Sequence, residues 1–526
     1  MPASKPGVAV VRPDLPGRSV ESLMRATNLV FVMADEHNAS VMGAAGHPLV
    51  KTPRLDRLAA AGTRFASAYT PSPLCVPARA AMATGRPAHQ TGYWDGAMAY
   101  DGRVPGWPHR LSGAGHLAVS IGKLHYRDGD VDTGFAETIE AMHLKDGIGD
   151  VHGLLREAMP PRTACRRLAE ELGPGDSDYV RYDRRITAHA CRWLEEVAAR
   201  PAGRPWALFV SFAAPHYPLI APPEFYDLYA GLDIPLPETA GPHDAPLHPW
   251  VSAIRRAWPY DDYMDDEKRR VAVAAYFALC SFMDANVGRV LDTLERTGLA
   301  AGTRVIYASD HGESLGNRGL WGKMTMYEDA ARIPLIVAGP DIPQAKVSGT
   351  PVSLLDIYPT ALAALGVAPA PDTDGRGPAG ASLIDIAAGR YDPHRAVISE
   401  YHGAGAAGAA FMLRRGRHKL IHYVGHAPEL FDLAADPRER NDLARSAGHA
   451  ALLAECEAHL RDIVDPAGAD ARARAAQQAL LARLGGRSAV LERAGFAGTP
   501  APRLASGERS AIGSPDLPFR KPDIRR

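Results

Sequence analysis

The sequence predicts an α/β fold, with a large, mixed but mostly parallel sheet flanked by helices and a smaller α+β domain at the C-terminal end. The first observation is a series of short apolar runs rich in Val, Ile and Phe, as expected for strands buried on both faces. The second is that helical patterns separate these runs, which is typical of parallel strands. The third is a change from about His394, after which strand-like runs follow one another.

Five apolar runs are predicted as strands of the main sheet. Each is short and continuous and is bounded by turn signals, which distinguishes it from a long buried helix. The predicted strands are residues 28–35, 116–123, 206–212, 304–310 and 334–339.

Two helices are predicted between these strands from apolar residues at helical spacing. The stretch 182–197 places Ile186 and Leu194 on one face, and the segment 268–297 repeats the pattern. The apolar run 271–283 within the second helix is shorter than the ~20 residues of a membrane span, so a buried helix is predicted there.

The chain is predicted to divide into four segments. Residues 1–26 form an arm rich in Pro, Gly and Ser, 27–390 the main domain, and 391–465 the small α+β domain. Residues 466–526 form a helical and extended tail, which either contacts a neighbouring subunit or is a disordered end. A homo-oligomer is the expectation from this tail.

Composition limits which binding partners and which cellular compartment are expected. With 59 basic and 60 acidic residues and a net charge of −1, neither nucleic acid nor a membrane surface is expected as a partner. The N-terminal sequence lacks the basic and apolar regions of a secretory signal. Five cysteines without a CxxC pair argue against a disulfide framework or a structural zinc site. A cytoplasmic location is therefore expected.

Polar side chains follow the predicted strands, where sites form in open α/β sheets. Carboxylates and a histidine from two strands suit a divalent cation, and their oxygen ligands favour Ca²⁺, Mg²⁺ or Mn²⁺. Two lysines supply positive charge for an anionic substrate. Each residue alone has an ordinary role as a helix cap, a solvated lysine or a hydrogen-bonded histidine, and the joint occurrence indicates a site. These residues are Asp35, Glu36, Lys123, His125, His216, Asp310, His311 and Lys323.

The stretch TPSPLCVPARAAMATGR (70–86) predicts a helix that begins near Cys75 and stops at Gly85. Pro77 suits the first turn, and the free N–H groups of a helix start favour an anion. From the residues alone, Cys75 is either an inert buried thiol or a catalytic thiolate. No His/Asn pairing indicates a cysteine hydrolase, and the predicted cation site would then have no purpose.

The segment from Cys75 to Arg79 resembles the C-x-P-x-R signature of the sulfatase family, and ATGR (83–86) resembles its extension. The resemblance covers most of residues 28–440. The stretches that begin ADEH and SDHGESLGNRGLWGK are similar to choline-sulfatase-like and phosphonate-monoester-hydrolase-like members. The resemblance implies the alkaline-phosphatase-like form of the α/β fold.

The resemblance also implies the chemistry of Cys75. A maturation enzyme oxidises the cysteine to formylglycine, whose aldehyde hydrates to a geminal diol. One hydroxyl attacks sulfur, and the second later loses its proton and expels sulfate. A single divalent cation is implied, with Ca²⁺ favoured over Mn²⁺ and Mg²⁺. His311 stands where many members have Asn, and this bears on the choice between Ca²⁺ and Mn²⁺. Glu36 stands where many members have a second Asp.

Site roles carried over from the family cover metal binding and catalysis. Asp35, Asp310, His311 and the modified Cys75 are implied metal ligands, and Glu36 is a further candidate. Arg79 is implied to steady the diol, and Trp94 and Asp95 either line the substrate pocket or belong to an ordinary loop. The remaining implied catalytic and substrate-contacting residues are Lys123, His125, His216 and Lys323.

The predicted function is hydrolysis of a small-molecule sulfate ester. The same site would also suit phosphonate monoesters or phosphodiesters, which present the same tetrahedral centre. A zinc phosphatase of the same superfamily would need a second metal cluster. A binding protein without catalysis would not need the complete residue set.

Overall fold

The computed structural model describes residues 26–156, 159–201, 203–239, 246–368, 378–390, 392, 395–493 and 499–502. The predicted N-terminal arm (1–26), apart from its last residue, lies outside the described residues. Of the predicted tail after residue 493, only residues 499–502 are among the described residues.

The strands begin and end close to the turn signals in the sequence. In chain order they are β1 (Asn28–Asp35), β2 (Gly62–Phe65), β3 (Ala68–Tyr69), β4 (Leu117–Lys123), β5 (Glu137–Met142), β6 (Leu172–Pro174), β7 (Trp206–Pro215), β8 (Leu219–Ala221), β9 (Thr303–Ser309), β10 (Leu335–Ala338), β11 (Lys346–Ser348), β12 (Val352–Ser353), β13 (Ala396–Tyr401), β14 (Ala410–Arg415), β15 (His418–Tyr423) and β16 (Glu429–Asp432).

Among the described residues the main sheet has eight strands in the order β11-β2-β10-β9-β1-β7-β4-β5. Strand β1 pairs in parallel with both β7 and β9, and β7 pairs in parallel with β4. Strand β10 runs antiparallel to its neighbours β9 and β2. The sheet is therefore mixed but mostly parallel, as predicted, and the carboxyl ends of β9, β1, β7 and β4 meet at one edge.

The helices cover both faces of this sheet. They are α1 (Pro53–Ala60), α2 (Cys75–Thr84), α3 (Ala88–Thr91), α4 (Trp107–Gly113), α5 (Arg166–Glu170), α6 (Asp178–Ala199), α7 (Pro223–Tyr226), α8 (Pro249–Ala257), α9 (Asp266–Arg296), α10 (Glu328–Ala331), α11 (Ile357–Leu365), α12 (Leu383–Ala387), α13 (Ala450–Ile463), α14 (Pro466–Arg483) and α15 (Gly486–Glu492).

Alternating side chains of β1 fill the two cores on either side of the sheet. Val30 and Val32 pack in one core with α1, α6 and α9, while Phe31 and Met33 pack in the other with α2, α4 and α11. This alternation follows from the two-residue period of a strand, and burial on both faces explains the continuous apolar run.

Helix α9 lies in the first core and has the length and apolar composition of a membrane span. Its most apolar stretch is 89% buried within the protein. The described structure therefore supports the predicted buried helix.

The C-terminal part forms a separate antiparallel sheet in the order β13-β14-β15-β16. Helix α13 packs on this sheet, whereas α14 lies against the main domain. Asp470 of α14 pairs with Arg156 at 2.5 Å, and Gln477 donates to Asp95 at 2.7 Å. The described part of the predicted tail thus contacts its own chain.

Candidate active site

Cys75 is the first residue of α2, as predicted, and the helix ends before Gly85, whose φ of +66° is left-handed. Leu74 precedes the helix with an extended backbone and gives no side-chain cap to the free N–H groups. The helix start is therefore open to an anion at the position of Cys75. The cysteine is 5% exposed.

Arg79, one turn further along α2, connects the ends of the central strands. Its guanidinium donates to Asp35, the last residue of β1, at 3.1 Å. It also donates to Asp310, the residue after β9, at 2.8 Å. The same group donates to the Lys123 carbonyl of β4 at 2.7 Å and to Ser211 of β7 at 2.9 Å. The buried Arg79 guanidinium thus holds the ends of these strands together, and its charge offsets the negative charge of two buried carboxylates.

Four predicted metal ligands lie together. Ligand atoms of Asp35, Cys75, Asp310 and His311 are all within 4.8 Å of one another, and all four residues are buried. Nδ1 of His311 lies 3.0 Å from the Gly312 carbonyl, to which it donates, so Nε2 keeps its lone pair. Nε2 lies 3.0 Å from the Cys75 sulfur. Two carboxylates and an imidazole at a common point form a donor set for a divalent cation.

Asp35 is held ionised by its neighbours. Burial opposes the charge, but nearby cations, Lys123 foremost, hold the pKa of this carboxyl well below its usual range. The Lys123 ammonium lies 2.5 Å from Asp35 Oδ2, and Arg79 pairs with the same oxygen. Asp35 is therefore ready to ligate without losing a proton.

Glu36 was a candidate metal ligand, but its carboxylate pairs with other groups. Its Oε2 lies 3.0 Å from the Lys323 ammonium and 3.2 Å from Nε2 of His216. Burial raises the pKa of Glu36 to about 8. The negative charge of Glu313 adds to this rise, whereas the positive charge of Lys323 opposes it. Asp35, Glu36 and His216 also offer ligand atoms within 4.8 Å of one another. The Lys323 ammonium would compete with a cation for Glu36.

The thiol of Cys75 is not an activated nucleophile. Burial, followed by the charge of Asp35, raises its pKa to about 12. Burial and Asp35 therefore favour the neutral thiol over the thiolate at this position.

Two buried histidines lie beside the cluster. Burial holds the pKa values of both histidines well below the ordinary range. The positive charge of Lys123 adds to this effect at His125, and that of Lys323 adds to it at His216. His216 donates from Nδ1 to the Tyr217 carbonyl at 2.7 Å. Both ring nitrogens of His125 are buried without a hydrogen-bond partner among the described residues. His125 thus keeps its hydrogen-bonding capacity for a ligand.

These groups open into one cavity of about 140 Å³. Cys75, Lys123, His125, His216 and Lys323 line it together. Sequence reasoning missed the aromatic wall, because its members are scattered over distant loops and helices without a shared spacing. That wall consists of Tyr179, Tyr217, Trp258, Tyr260, Trp321 and Tyr401.

Trp94 and Asp95 do not line this cavity, although their neighbour Gly96 does. Asp95 accepts hydrogen bonds from the Ala97 amide and from Gln477, and it is fully buried. Trp94 packs edge-on against His402, with ring centroids 4.8 Å apart. Both residues thus join the main domain to the C-terminal part, which favours the structural alternative, and their substrate-binding role stays a prediction.

Comparison with known proteins gives the family. A family model described as Sulfatase matches residues 27–367, and one described as N-sulphoglucosamine sulphohydrolase, C-terminal, matches residues 316–465. The choline-sulfatase of Rhizobium meliloti (strain 1021) is 31% identical over 80% of this chain and 82% of its own. Human arylsulfatase K is 30% identical over 83% of this chain and 82% of its own.

Among solved structures, the phosphonate monoester hydrolase of Agrobacterium radiobacter has the same fold. Its TM-score is 0.68 at 22% identity, over 83% of this chain and 95% of that protein. The structural comparison therefore supports the predicted alkaline-phosphatase-like architecture.

Proposed function

We propose, from the premise that the chain belongs to the sulfatase family and is a sulfuric ester hydrolase, that it works through formylglycine at position 75 and one divalent cation. The observation that carries this proposal is the position of Cys75 at an open helix start, with its sulfur 3.0 Å from Nε2 of His311. A buried thiol with a raised pKa has no other evident use there.

The donor set fits a single cation. Asp35, Asp310, His311 and the converted Cys75 would hold it, and Ca²⁺ is our first choice, with Mn²⁺ and Mg²⁺ as alternatives. A bound cation would supply a Lewis acid, and formylglycine a hydrated aldehyde with one hydroxyl to attack sulfur and a second that could lose its proton to re-form the aldehyde and expel sulfate. Glu36 remains a further candidate ligand, with Lys323 and His216 as its present partners.

The side chains of the chain itself orient and neutralise the sulfate group. Arg79 keeps Asp35 and Asp310 fixed, and it keeps position 75 at the end of the sheet through α2. Lys123 and Lys323 offset the negative charge of the sulfate oxygens in the cavity.

The two histidines handle protons. His216 passes to the departing alcohol a proton that its Nε2 takes from the Glu36 carboxyl, 3.2 Å away, whose pKa burial raises to about 8. His125, with both nitrogens unpartnered among the described residues, assists the release of sulfate.

We further propose a cytoplasmic enzyme that acts on small-molecule esters, forms a homo-oligomer and depends on a formylglycine-generating maturation enzyme. The five cysteines, all of them free thiols in the structure, support a reducing compartment. The small cavity supports a small substrate.

The proposal is tested on protein co-produced with a maturation enzyme. Mass spectrometry of the peptide that contains Cys75 is expected to show the aldehyde, and Cys75→Ala is expected to bind the cation while losing turnover. Cys191→Ala, at a half-buried cysteine outside the cavity, is the matched control. Full activity of Cys75→Ala would contradict the covalent role.

The same preparation decides between the two ester classes. Specificity constants for 4-nitrophenyl sulfate and for a matched aryl phosphonate monoester are compared on one enzyme sample. Preference for the phosphonate would replace the sulfate-ester proposal by the alternative.

A further inference from the structure

A second polar cluster lies in the wall of the same cavity. We call Asp150, Arg162 and Trp258 the wall cluster, and all three line the cavity together with Cys75. Asp150 and Arg162 form a hydrogen-bonded ion pair with each other. Within the described parts of the chain, neither side chain pairs with a catalytic residue. The catalytic chemistry described above therefore leaves this cluster without a role.

Arg162 is held rigidly in this wall. It is 6% exposed, and its Nη2 donates to Asp150 Oδ2 at 2.7 Å. Its guanidinium carbon lies 3.9 Å from the ring centroid of Trp258, and its backbone amide donates to the Ala257 carbonyl at 3.1 Å. A planar cation fixed from three sides is suited to recognition because little rotamer entropy is lost on binding.

Several polar atoms of the cluster are left without a partner. Nε and Nη1 of Arg162, Oδ1 of Asp150 and Nε1 of Trp258 are buried, and none has a hydrogen-bond partner among the described residues. Buried polar groups are normally paired, so unpaired groups in a cavity wall indicate a place for a ligand. The wall cluster offers N–H donors on two side chains and one strong acceptor.

The charges of the cluster decide which ligand fits. Arg162 and Asp150 already neutralise each other, so a carboxylate would meet the charge of Asp150 and a quaternary ammonium would meet that of Arg162. The Trp258 ring is already covered by Arg162 and stacks on Tyr260, with centroids 6.2 Å apart. A hydroxyl group avoids both repulsions, because it donates to Asp150 and accepts from Arg162 or Trp258.

We propose that the wall cluster binds free hydroxyl groups on the alcohol part of the substrate. The preferred substrate class is then the sulfate ester of a polyol or sugar, and this inference rests on the proposed sulfatase function. The mainly aromatic and aliphatic remainder of the wall suits the C–H faces of such a ring.

The experiment compares esters that differ in their hydroxyl groups. Glucose 6-sulfate and galactose 6-sulfate are measured against cyclohexylmethyl sulfate, which has a similar primary sulfate and ring size but no hydroxyl. We expect wild-type kcat/KM to be at least about tenfold higher on one of the two sugar esters, as one hydrogen bond to a charged group provides.

The variants are Arg162→Lys, which keeps the charge but loses the planar fork, and Asp150→Asn, which keeps the shape. Both are expected to lose at least about tenfold in kcat/KM on the preferred sugar ester and less than about threefold on cyclohexylmethyl sulfate. Arg256→Lys, at an exposed arginine of α8, is the control. Equal losses on all esters, unchanged variants, or a wild-type preference for the ester without hydroxyls would overturn the inference.

Turnover of 4-nitrophenyl sulfate tests the proposed function separately. If matured wild-type protein hydrolyses none of these esters, the proposed function fails, and calorimetric titration with glucose 6-sulfate and galactose 6-sulfate decides the inference instead. The inference is then supported if wild type binds a sugar ester and Arg162→Lys binds it at least about tenfold more weakly. It is overturned if wild type does not bind, or if the variant binds as tightly as wild type.

Discussion

Nε of Arg79 lies 2.8 Å from Oδ2 of Asp310, and this buried contact joins the cysteine-bearing helix to the end of β9. Both side chains have at most 1% exposure. The same guanidinium reaches Asp35 at 3.1 Å, so one arginine neutralises two carboxylates from neighbouring strands. Such a bridging geometry needs the planar fork of arginine rather than a point charge.

Arg79→Lys should therefore impair both catalysis and folding. We expect kcat to fall at least about 100-fold because the two carboxylates lose their common anchor. The free energy of unfolding should fall by up to about 3–5 kcal/mol, since an ammonium cannot bridge both carboxylates and leaves one of them without its arginine partner. Turnover assays and urea unfolding measure the two effects.

The control for this change is Arg57→Lys, at an exposed surface arginine that pairs with Glu295. An exposed ion pair contributes about 0–1 kcal/mol, so this variant should match wild type. If Arg79→Lys unfolds like the control, the bridging role is wrong.

Removal of the cation should abolish turnover while leaving the protein folded. Arg79 and Lys123 still neutralise Asp35 without a metal, so the site does not collapse from charge repulsion. Binding at 100 to 1,000 times Kd would contribute about 3–4 kcal/mol to stability. Calorimetric melting with and without EDTA, followed by return of Ca²⁺, Mn²⁺ or Mg²⁺, measures this difference and identifies the cation.

Asp310→Asn is the matched variant for the metal prediction, because it removes one ligand charge and keeps the shape. Its melting temperature should respond less to added cation than that of wild type. An unchanged wild-type melting temperature after chelation would show that these four residues hold no stabilising metal.

Much of the catalytic cluster was predictable because its residues follow buried strands. Asp35, Asp310 and Lys123 lie at or directly after the ends of β1, β9 and β4, and parallel strands bring such ends to one edge. The helix start at Cys75 was equally visible from Pro77 and Gly85. Local signals were sufficient in these places.

Other parts of the site depend on tertiary contacts that no local pattern records. Ser211 is hidden within the apolar run of β7, yet it accepts from Arg79. Asp150, Arg162 and Trp258 come from three separate places in the chain and meet only in the folded cavity wall. Trp94 and Asp95 have the composition of pocket residues, but packing against His402 and Gln477 takes them elsewhere.

Asp183 of α6 is predicted to position His216. Its two carboxylate oxygens accept hydrogen bonds from the backbone amides of Ala213 and Ala214 at 2.8 Å each, three and two residues before the histidine. Asp183→Asn replaces one acceptor by a donor and should displace the end of β7. We expect kcat to fall about 10–100-fold with a smaller change in KM.

The type of ester reveals whether His216 is the group affected. If His216 protonates the leaving alcohol, Asp183→Asn should lose more activity on alkyl sulfates than on 4-nitrophenyl sulfate, whose leaving group needs little protonation. Asp178→Asn, at the exposed start of the same helix, is the control. Equal losses on both ester types would indicate a general structural effect instead.

Acid should weaken the contact between α3 and the C-terminal sheet through Glu400. This fully buried carboxylate lies 3.1 Å from Nδ1 of His89 and 2.9 Å from Nε2 of His402. Burial opposes its charge, but the two histidines hold the pKa of Glu400 well below its ordinary value of 4.5. Because the folded pKa is lowered, the stabilisation is complete above pH 4.5 and is lost as the pH falls towards the folded pKa.

The free energy of unfolding should therefore decrease below pH 4.5, with a contribution from this one group of up to about 1.4 kcal/mol per pH unit. Urea unfolding at a series of pH values from neutral to acid measures the slope. Glu400→Gln should be less stable at neutral pH and show a shallower slope, whereas Glu196→Gln, at an exposed residue of α6, should keep that of wild type. An unchanged slope in Glu400→Gln would mean that other carboxylates carry the acid sensitivity, and that the two histidines do not hold this one ionised.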